Sequence, residues 1–159
     1  MVQIKKLKLN EKFRYPTDYK EAKVWFENFL KQSGKGKDFF FSVTNLFDTS
    51  KVVRPRSHEL LKEVTTKNGK KKVWCTFSHD QIDYDYTNLK FFEEIINLII
   101  FFIKKNICFF RLDAIAYIYK QSGTECINHE KTHKFVKVFR LINDIMTKNS
   151  TLITETNLP

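Results

Sequence analysis

The sequence predicts an α/β fold in which the second half of the chain forms a parallel sheet. Residues 88–105 and 132–148 carry apolar side chains at helical spacing, and strand-like stretches follow them at 107–113 and 151–155. This helix–strand–helix–strand order is typical of β/α units, in which successive strands lie parallel. With 159 residues, 16 of them Phe, the chain can bury a core of one domain.

For the first half of the chain, the sequence predicts one helix and an irregular region. Apolar residues at helical spacing indicate an amphipathic helix from Thr17 to Gln32, ending before Gly34. Residues 37–82 read as loops and short extended pieces, and we interpret them as an insertion-like subdomain. Within this subdomain the Asn68-Gly69 turn signal predicts a hairpin.

The helix predicted at 88–105 is the most strongly patterned element of the chain. Its acidic residues come early and its basic residues late, which suits the helix dipole. The apolar run from Ile95 to Ile103 is far shorter than the roughly 20 residues that a membrane span needs. We therefore expect a buried helix packed on a sheet and no membrane partner.

Two carboxylates stand at the carboxyl ends of the predicted parallel strands. Asp113 ends the first strand and Glu155 ends the second. Neighbouring strands lie about 4.8 Å apart, so the two carboxylates would be about 5–6 Å apart, close to the spacing of a retaining glycosidase. Arg111 shares the strand face of Asp113 and would hold it ionised. A buried Arg–Asp pair that only ends a strand is the alternative interpretation of these spacings.

Longer motifs favour the catalytic interpretation. The stretch FRLDAIAYIYKQSGTECI, a following TH pair and then LITETNLP resemble the sucrose phosphorylase branch of glycoside hydrolase family 13, the α-amylase family. The upstream segments VVRPRSHELL and KKVWCTFSHDQIDYDY resemble the same branch. The resemblance covers residues 19–159 and implies part of a (β/α)8 TIM barrel, about strands 4 and 5 with their helices.

By this resemblance, Asp113 matches the nucleophile, Glu155 the acid/base and Arg111 the arginine beside the nucleophile. Tyr117 and Gln81 match positions that line the glucosyl pocket. The implied chemistry is a double displacement through a covalent glucosyl-enzyme, with an α-glucoside such as sucrose and inorganic phosphate as substrates. The resemblance implies no metal or organic cofactor.

Other features depart from this family. Its Asp, Asn and His motif at the end of the third strand is replaced by Phe13, Thr17 and Asp18, so residues 1–18 form an atypical segment. Its third acid lies downstream of the matched region, and a whole barrel needs about 250 residues. We therefore expect an incomplete catalytic domain without activity alone. It would be either a non-catalytic remnant or a chain that needs a second polypeptide to complete the barrel.

Two features of the sequence suggest other functions. Residues 129–133 match the zinc-protease pattern H-E-x-x-H, but we expect this stretch to straddle a loop and a helix that starts at Thr132, which would separate His129 from His133. The net charge of +10 could attract nucleic acid. Only five of the 28 basic residues are Arg, the residue best suited to phosphates and bases, which argues against it.

Three cysteines without paired spacing, and no secretory signal at the start of the sequence, predict a cytoplasmic protein. In the extended segment VRPRS, Arg54 and Arg56 flank a proline. One of them could approach the phosphate or acceptor site, because phosphate favours a guanidinium. A solvated pair of loop arginines is the equal alternative.

Overall fold

Three long helices and two small sheets succeed one another in the computed structural model, which describes residues 19–155. The segment 1–18 and its departures from the family motif lie outside the described residues. In chain order the elements are α1 (Tyr19–Lys31), β1 (Ser42–Val43), β2 (Leu61–Thr66), β3 (Gly69–Trp74), α2 (Leu89–Lys104), β4 (Phe109–Leu112), a 3-10 turn (Ile115–Tyr117), α3 (Glu130–Met146) and β5 (Thr151–Thr154).

Helix α1 ends one residue before the predicted limit and packs through its aromatic side chains. Trp25 and Phe29 are buried, and the Trp25 ring meets the Phe39 ring edge-on at 5.2 Å. The loop after α1 lies directly against the helix at Gly36. A Cβ on Gly36 would stand 2.6 Å from the Cβ of Trp25, and Gly36 also has a φ of +97°, so this position requires glycine.

The predicted insertion-like region contains an antiparallel sheet in the order β1-β3-β2. The hairpin of β2 and β3 is confirmed, with pairs running from Leu61–Trp74 to Thr66–Gly69. Lys67 and Asn68 form the loop, and Gly69 begins the return strand with a φ of +107°. This sheet places Trp74 and the segment that follows it against the core.

Asn88 is the N-cap of helix α2. The Asn88 side chain accepts hydrogen bonds from the backbone N–H groups of Lys90 and Phe91, which leaves fewer free donors at the helix start. Phe91, Ile99 and Ile103 are its buried side chains, so the helix is buried on one side as predicted. Within residues 19–155, no helix is long and apolar enough to cross a membrane.

Strands β4 and β5 pair in parallel, as the β/α pattern predicts. Both are shorter than expected. Phe110 and Leu112 are each 1% exposed on the face toward the helices. These residues join a largely aromatic core with members from both sheets and all three helices: Trp25, Phe29, Phe39, Phe40, Val73, Tyr86, Phe91, Ile99, Phe110, Leu112 and Phe139.

The start of α3 corrects one expectation. The helix begins at Glu130 rather than at Thr132, and His129 is its N-cap, accepting a hydrogen bond from the Lys131 N–H through Nδ1. The ring nitrogen of His129 thereby satisfies one of the free N–H groups of the first turn. The motif of residues 129–133 does straddle a loop and a helix start, as predicted.

Candidate active site

The two strand-end carboxylates stand beside each other. Leu112 and Thr154 are the last paired residues of β4 and β5, and Asp113 and Glu155 follow them directly. The backbone N–H of Glu155 donates to the carbonyl of Leu112 at 2.9 Å, which continues the parallel ladder past the end of β5. Both acids therefore leave the sheet at its carboxyl edge, where barrel enzymes place their active sites.

One guanidinium connects the two acids. Nη2 of Arg111 lies 3.6 Å from Oδ1 of Asp113, so the predicted pair is present. The same nitrogen contacts Oε2 of Glu155, a second ion pair that was not predicted. All three side chains are partly exposed, so a ligand can reach them. Because one nitrogen atom contacts an oxygen of each acid, the two carboxylates lie close together.

A cavity of about 280 Å³ opens beside Asp113. Tyr117 and Gln81 line this cavity together with Asp113, whereas Arg111 and Glu155 are not among its lining residues. The chain turns sharply after Asp113, because Ala114 has a left-handed φ of 52° and the 3-10 turn Ile115–Tyr117 follows. This turn brings Tyr117 into the same wall as Asp113.

The segment after β3 forms a second part of the cavity wall. The ring of Phe77 meets the ring of Tyr117 edge-on, with centroids 5.5 Å apart. Arg56 also lines the cavity, and Arg54 is not among the lining residues. The sequence could not separate these two arginines, because both flank Pro55 in an extended segment.

A buried ion pair joins the two walls, and sequence reasoning missed it. The Lys120 side chain is 3% exposed, and its Nζ lies 2.5 Å from Oδ2 of Asp83. Nζ also donates to the carbonyl of Tyr117 at 3.0 Å. Asp83 in turn accepts hydrogen bonds from the backbone N–H and the hydroxyl of Thr76. A lysine at the end of the apolar run AIAYIY was the only signal in the sequence.

Three buried titratable groups in or beside the cavity wall have raised pKa values. Burial raises the pKa of Tyr84 to about 12 and holds the pKa of Tyr86 above its ordinary value. Burial, with the charge of Asp83 adding to it, raises the pKa of the Cys75 thiol to about 11. The basic and acidic side chains that line the cavity are those of Arg56, Lys120, Asp83 and Asp113.

The H-E-x-x-H match does not form a metal site in the described part of the chain. His129 caps α3 from outside the helix, and its ring packs against Tyr119 with centroids 4.5 Å apart. Across residues 19–155, no group of three or more His, Cys, Asp or Glu side chains could hold a metal ion. The three cysteines are free thiols.

The chain is similar to curated enzymes over part of their length. The chain is 42% identical over 135 residues to the glucosylglycerate phosphorylase of Spirochaeta thermophila, covering 85% of this chain and 23% of that enzyme. It is 36% identical over 149 residues to the glucosylglycerate phosphorylase of Escherichia coli, covering 92% of this chain and 27% of that enzyme. The chain thus spans about a quarter of the length of these curated relatives. No family model matches it.

Solved structures share the fold. The sucrose 6F-phosphate phosphorylase of Thermoanaerobacter thermosaccharolyticum superposes with a TM-score of 0.71 over 84% of this chain and 30% of its own, at 23% identity. The trehalulose synthase MutB, as an R284C mutant, gives a TM-score of 0.67 over 84% of this chain and 26% of its own.

Two parallel strands backed by helices form part of a (β/α)8 barrel, and carboxylates follow the carboxyl ends of both strands. The resemblance seen in the sequence is confirmed. Its homologues are glucosylglycerate phosphorylases, and the chain corresponds to about a quarter of the length of those enzymes.

Proposed function

We propose that the chain contributes the catalytic pair of a retaining glucosyl-transferring phosphorylase of the glucosylglycerate or sucrose phosphorylase kind. The contact of one Arg111 guanidinium with both Asp113 and Glu155 is the observation that carries this proposal. It holds two acids side by side at the carboxyl edge of a parallel sheet, as a double displacement requires. The relatives named glucosylglycerate phosphorylase support this reaction.

In the proposed first step, the carboxylate of Asp113 attacks the anomeric carbon of an α-glucoside. The bond from that carbon to the leaving oxygen breaks, and Glu155 donates its proton to this oxygen. A covalent glucosyl ester on Asp113 results. Because Glu155 must carry a proton to donate it, the step requires the Arg111 contact to shift from Glu155 toward Asp113 as substrate binds.

In the proposed second step, a phosphate oxygen attacks the same anomeric carbon on the opposite side from Asp113. Glu155 accepts the proton of the incoming phosphate hydroxyl, and the ester bond to Asp113 breaks, which gives glucose 1-phosphate with retained configuration. Arg56 lies in the cavity wall with Asp113 and is suited to hold the phosphate, because a guanidinium binds phosphate oxygens in a two-pronged contact. Tyr117 and Gln81 are proposed to bind the glucosyl unit.

We expect the chain alone and a completed barrel to differ in activity. Among the described residues the parallel sheet has only β4 and β5, so one side of the carboxylate site stands open to water. Transfer to phosphate rather than to water needs a closed site. We propose that a second polypeptide completes the barrel. The alternative is a catalytically inactive remnant.

The test measures glucose 1-phosphate from glucosylglycerate or sucrose with inorganic phosphate. The chain alone should give no product. When the missing barrel segments of a glucosylglycerate phosphorylase are supplied in trans, product should appear. Asp113→Asn should abolish that product, and Arg56→Gln should raise the KM for phosphate about tenfold or more. Product that persists in the Asp113→Asn variant would sink the assignment of the nucleophile, and no product in the completed wild type would favour the remnant.

A further inference from the structure

The first histidine of the H-E-x-x-H match caps helix α3 through a ring nitrogen. Nδ1 of His129 accepts a hydrogen bond from the backbone N–H of Lys131 at 3.1 Å. A ring nitrogen that accepts a hydrogen bond carries no proton, so this cap requires the neutral ring with its proton on Nε2. The oxygen atoms of serine, threonine and asparagine caps keep their lone pairs at neutral and mildly acidic pH. A histidine cap differs from these caps because protonation removes its acceptor.

The charged and titratable groups around the ring add to this effect. From the segment before the helix, the buried side chain of Tyr119 packs on the ring, and Nζ of Lys131 donates to the Tyr119 hydroxyl at 2.8 Å. A charged ring would therefore share the Tyr119 side chain with an ammonium group. On α3 itself the neighbouring acid is Glu130, which is exposed and already pairs with Lys134 at 2.8 Å.

The helix dipole acts in the same direction. His129 stands at the positive, N-terminal end of α3, where a further positive charge is unfavourable. An exposed carboxylate such as that of Glu130 offsets little of this cost, because surface ion pairs are weak. Protonation of the ring thus loses the cap bond and places a charge where its surroundings disfavour it.

The cap lies next to a contact that reaches the carboxylate cavity. The backbone N–H of Asn128 donates to the carbonyl of Ala116 at 3.0 Å. Ala116 belongs to the 3-10 turn that follows Asp113 and brings Tyr117 into the cavity wall. Asn128 has a left-handed φ of 50°, a conformation that needs support from the residues on both sides. The cap at His129 supplies that support on the helix side.

We infer that His129 is a pH-sensitive cap of α3. A proton taken up by Nδ1 breaks the bond to Lys131, frays the first turn of the helix and loosens the contact of Asn128 with Ala116. The folded chain loses a bond when it takes up this proton and the unfolded chain loses nothing, so stability falls as the pH falls. The change lies in the range in which histidines titrate, about pH 8 to 5. This inference goes beyond the proposed reaction and does not depend on it.

Urea unfolding of the full chain at pH 8 and pH 5 tests the inference. His129→Asn keeps a side-chain acceptor that does not titrate. Lowering the pH should raise the unfolding equilibrium constant about fivefold to twentyfold more in the wild type than in His129→Asn. His129→Ala has no side-chain cap, so it should be less stable than the wild type at pH 8 and should approach it at pH 5.

His133→Asn is the matched control. His133 is exposed and lies one turn further along the same helix, so this variant should keep the wild-type pH dependence. Titration of His58 and His79 is common to all these chains and cancels in the comparison. Nitrogen-15 NMR of the wild-type imidazole needs no variant, and at pH 8 it should show Nδ1 of His129 without a proton.

Hydrogen exchange, corrected for the intrinsic effect of pH on the exchange rate, follows the amides of Asn128 and Lys131. Their protection should fall at pH 5 in the wild type and persist in His129→Asn. Each of four results would overturn the inference: a proton on Nδ1 at pH 8, a His129→Asn variant with the wild-type pH dependence, a His129→Ala variant as stable as the wild type at pH 8, or equal loss of protection in the wild type and His129→Asn.

Discussion

Replacement of Lys120 by methionine should destabilise the protein more than replacement of an exposed lysine. Lys120 Nζ lies 2.5 Å from Oδ2 of Asp83 and within 6 Å of the ring centroids of Phe41 and Trp74. Methionine fills much of the same space, so the main loss is the charge. Asp83 would then remain as a largely buried carboxylate with only the hydrogen bonds of Thr76 to stabilise it.

Removing one partner of a buried ion pair costs about 3–5 kcal/mol of unfolding free energy. Asp83 keeps slight exposure and two hydrogen bonds, so we expect a cost of about 2–4 kcal/mol for Lys120→Met. Urea unfolding followed by tryptophan fluorescence measures it, because Trp74 is buried beside Lys120. With a slope of about 2 kcal/mol per molar urea, the midpoint should fall by about 1–2 M.

Two further variants make this prediction refutable. Lys134→Met breaks an exposed ion pair with Glu130 and should cost less than about 1 kcal/mol. Asp83→Asn removes the second charge, and the double variant should be more stable than the sum of the single losses predicts, by about 0.5–3 kcal/mol. If Lys120→Met costs no more than Lys134→Met, or if the double variant is additive, the pair does not join the cavity walls as described.

The remaining predictions concern stability. Because burial raises the pKa of Tyr84 to about 12, the folded protein holds that proton while the unfolded chain, with a pKa near 10, loses it. Stability should therefore be unaffected below pH 10 and fall as the pH rises toward 12, by about 1.4 kcal/mol per pH unit for this group. Tyr84→Phe should flatten that fall in urea unfolding between pH 9 and 12, and an unchanged slope would contradict it. Gly36→Ala should lower the unfolding free energy by about 2–5 kcal/mol, since backbone strain and overpacking against Trp25 add together. Gly69→Ala, with an open site, should cost only the strain of about 1–3 kcal/mol. Asn88→Ala should cost about 1 kcal/mol through loss of the α2 cap, and Asn88→Asp should restore most of it in thermal unfolding.

Local patterns were sufficient for the elements that carry the acids. Helical and strand periodicity depend on neighbours a few positions apart, so the sequence predicted β4, β5 and their parallel order without long-range information. The placement of Asp113 and Glu155 after those strands followed from the same pattern. The start of α3 was wrong by two residues, because a histidine caps it and histidine is not among the usual cap residues.

The sequence by itself thus determined the fold class, the resemblance to a family and the two acids at one sheet edge. Only the tertiary structure decided what surrounds those acids. Lys120 pairs with Asp83 in the cavity wall, Arg56 rather than Arg54 lines the cavity, and Arg111 contacts Glu155 as well as Asp113. The physical reason is that most of these contacts join segments far apart in the chain, and the relative position of such segments depends on packing on the core and leaves no periodic signal in the sequence.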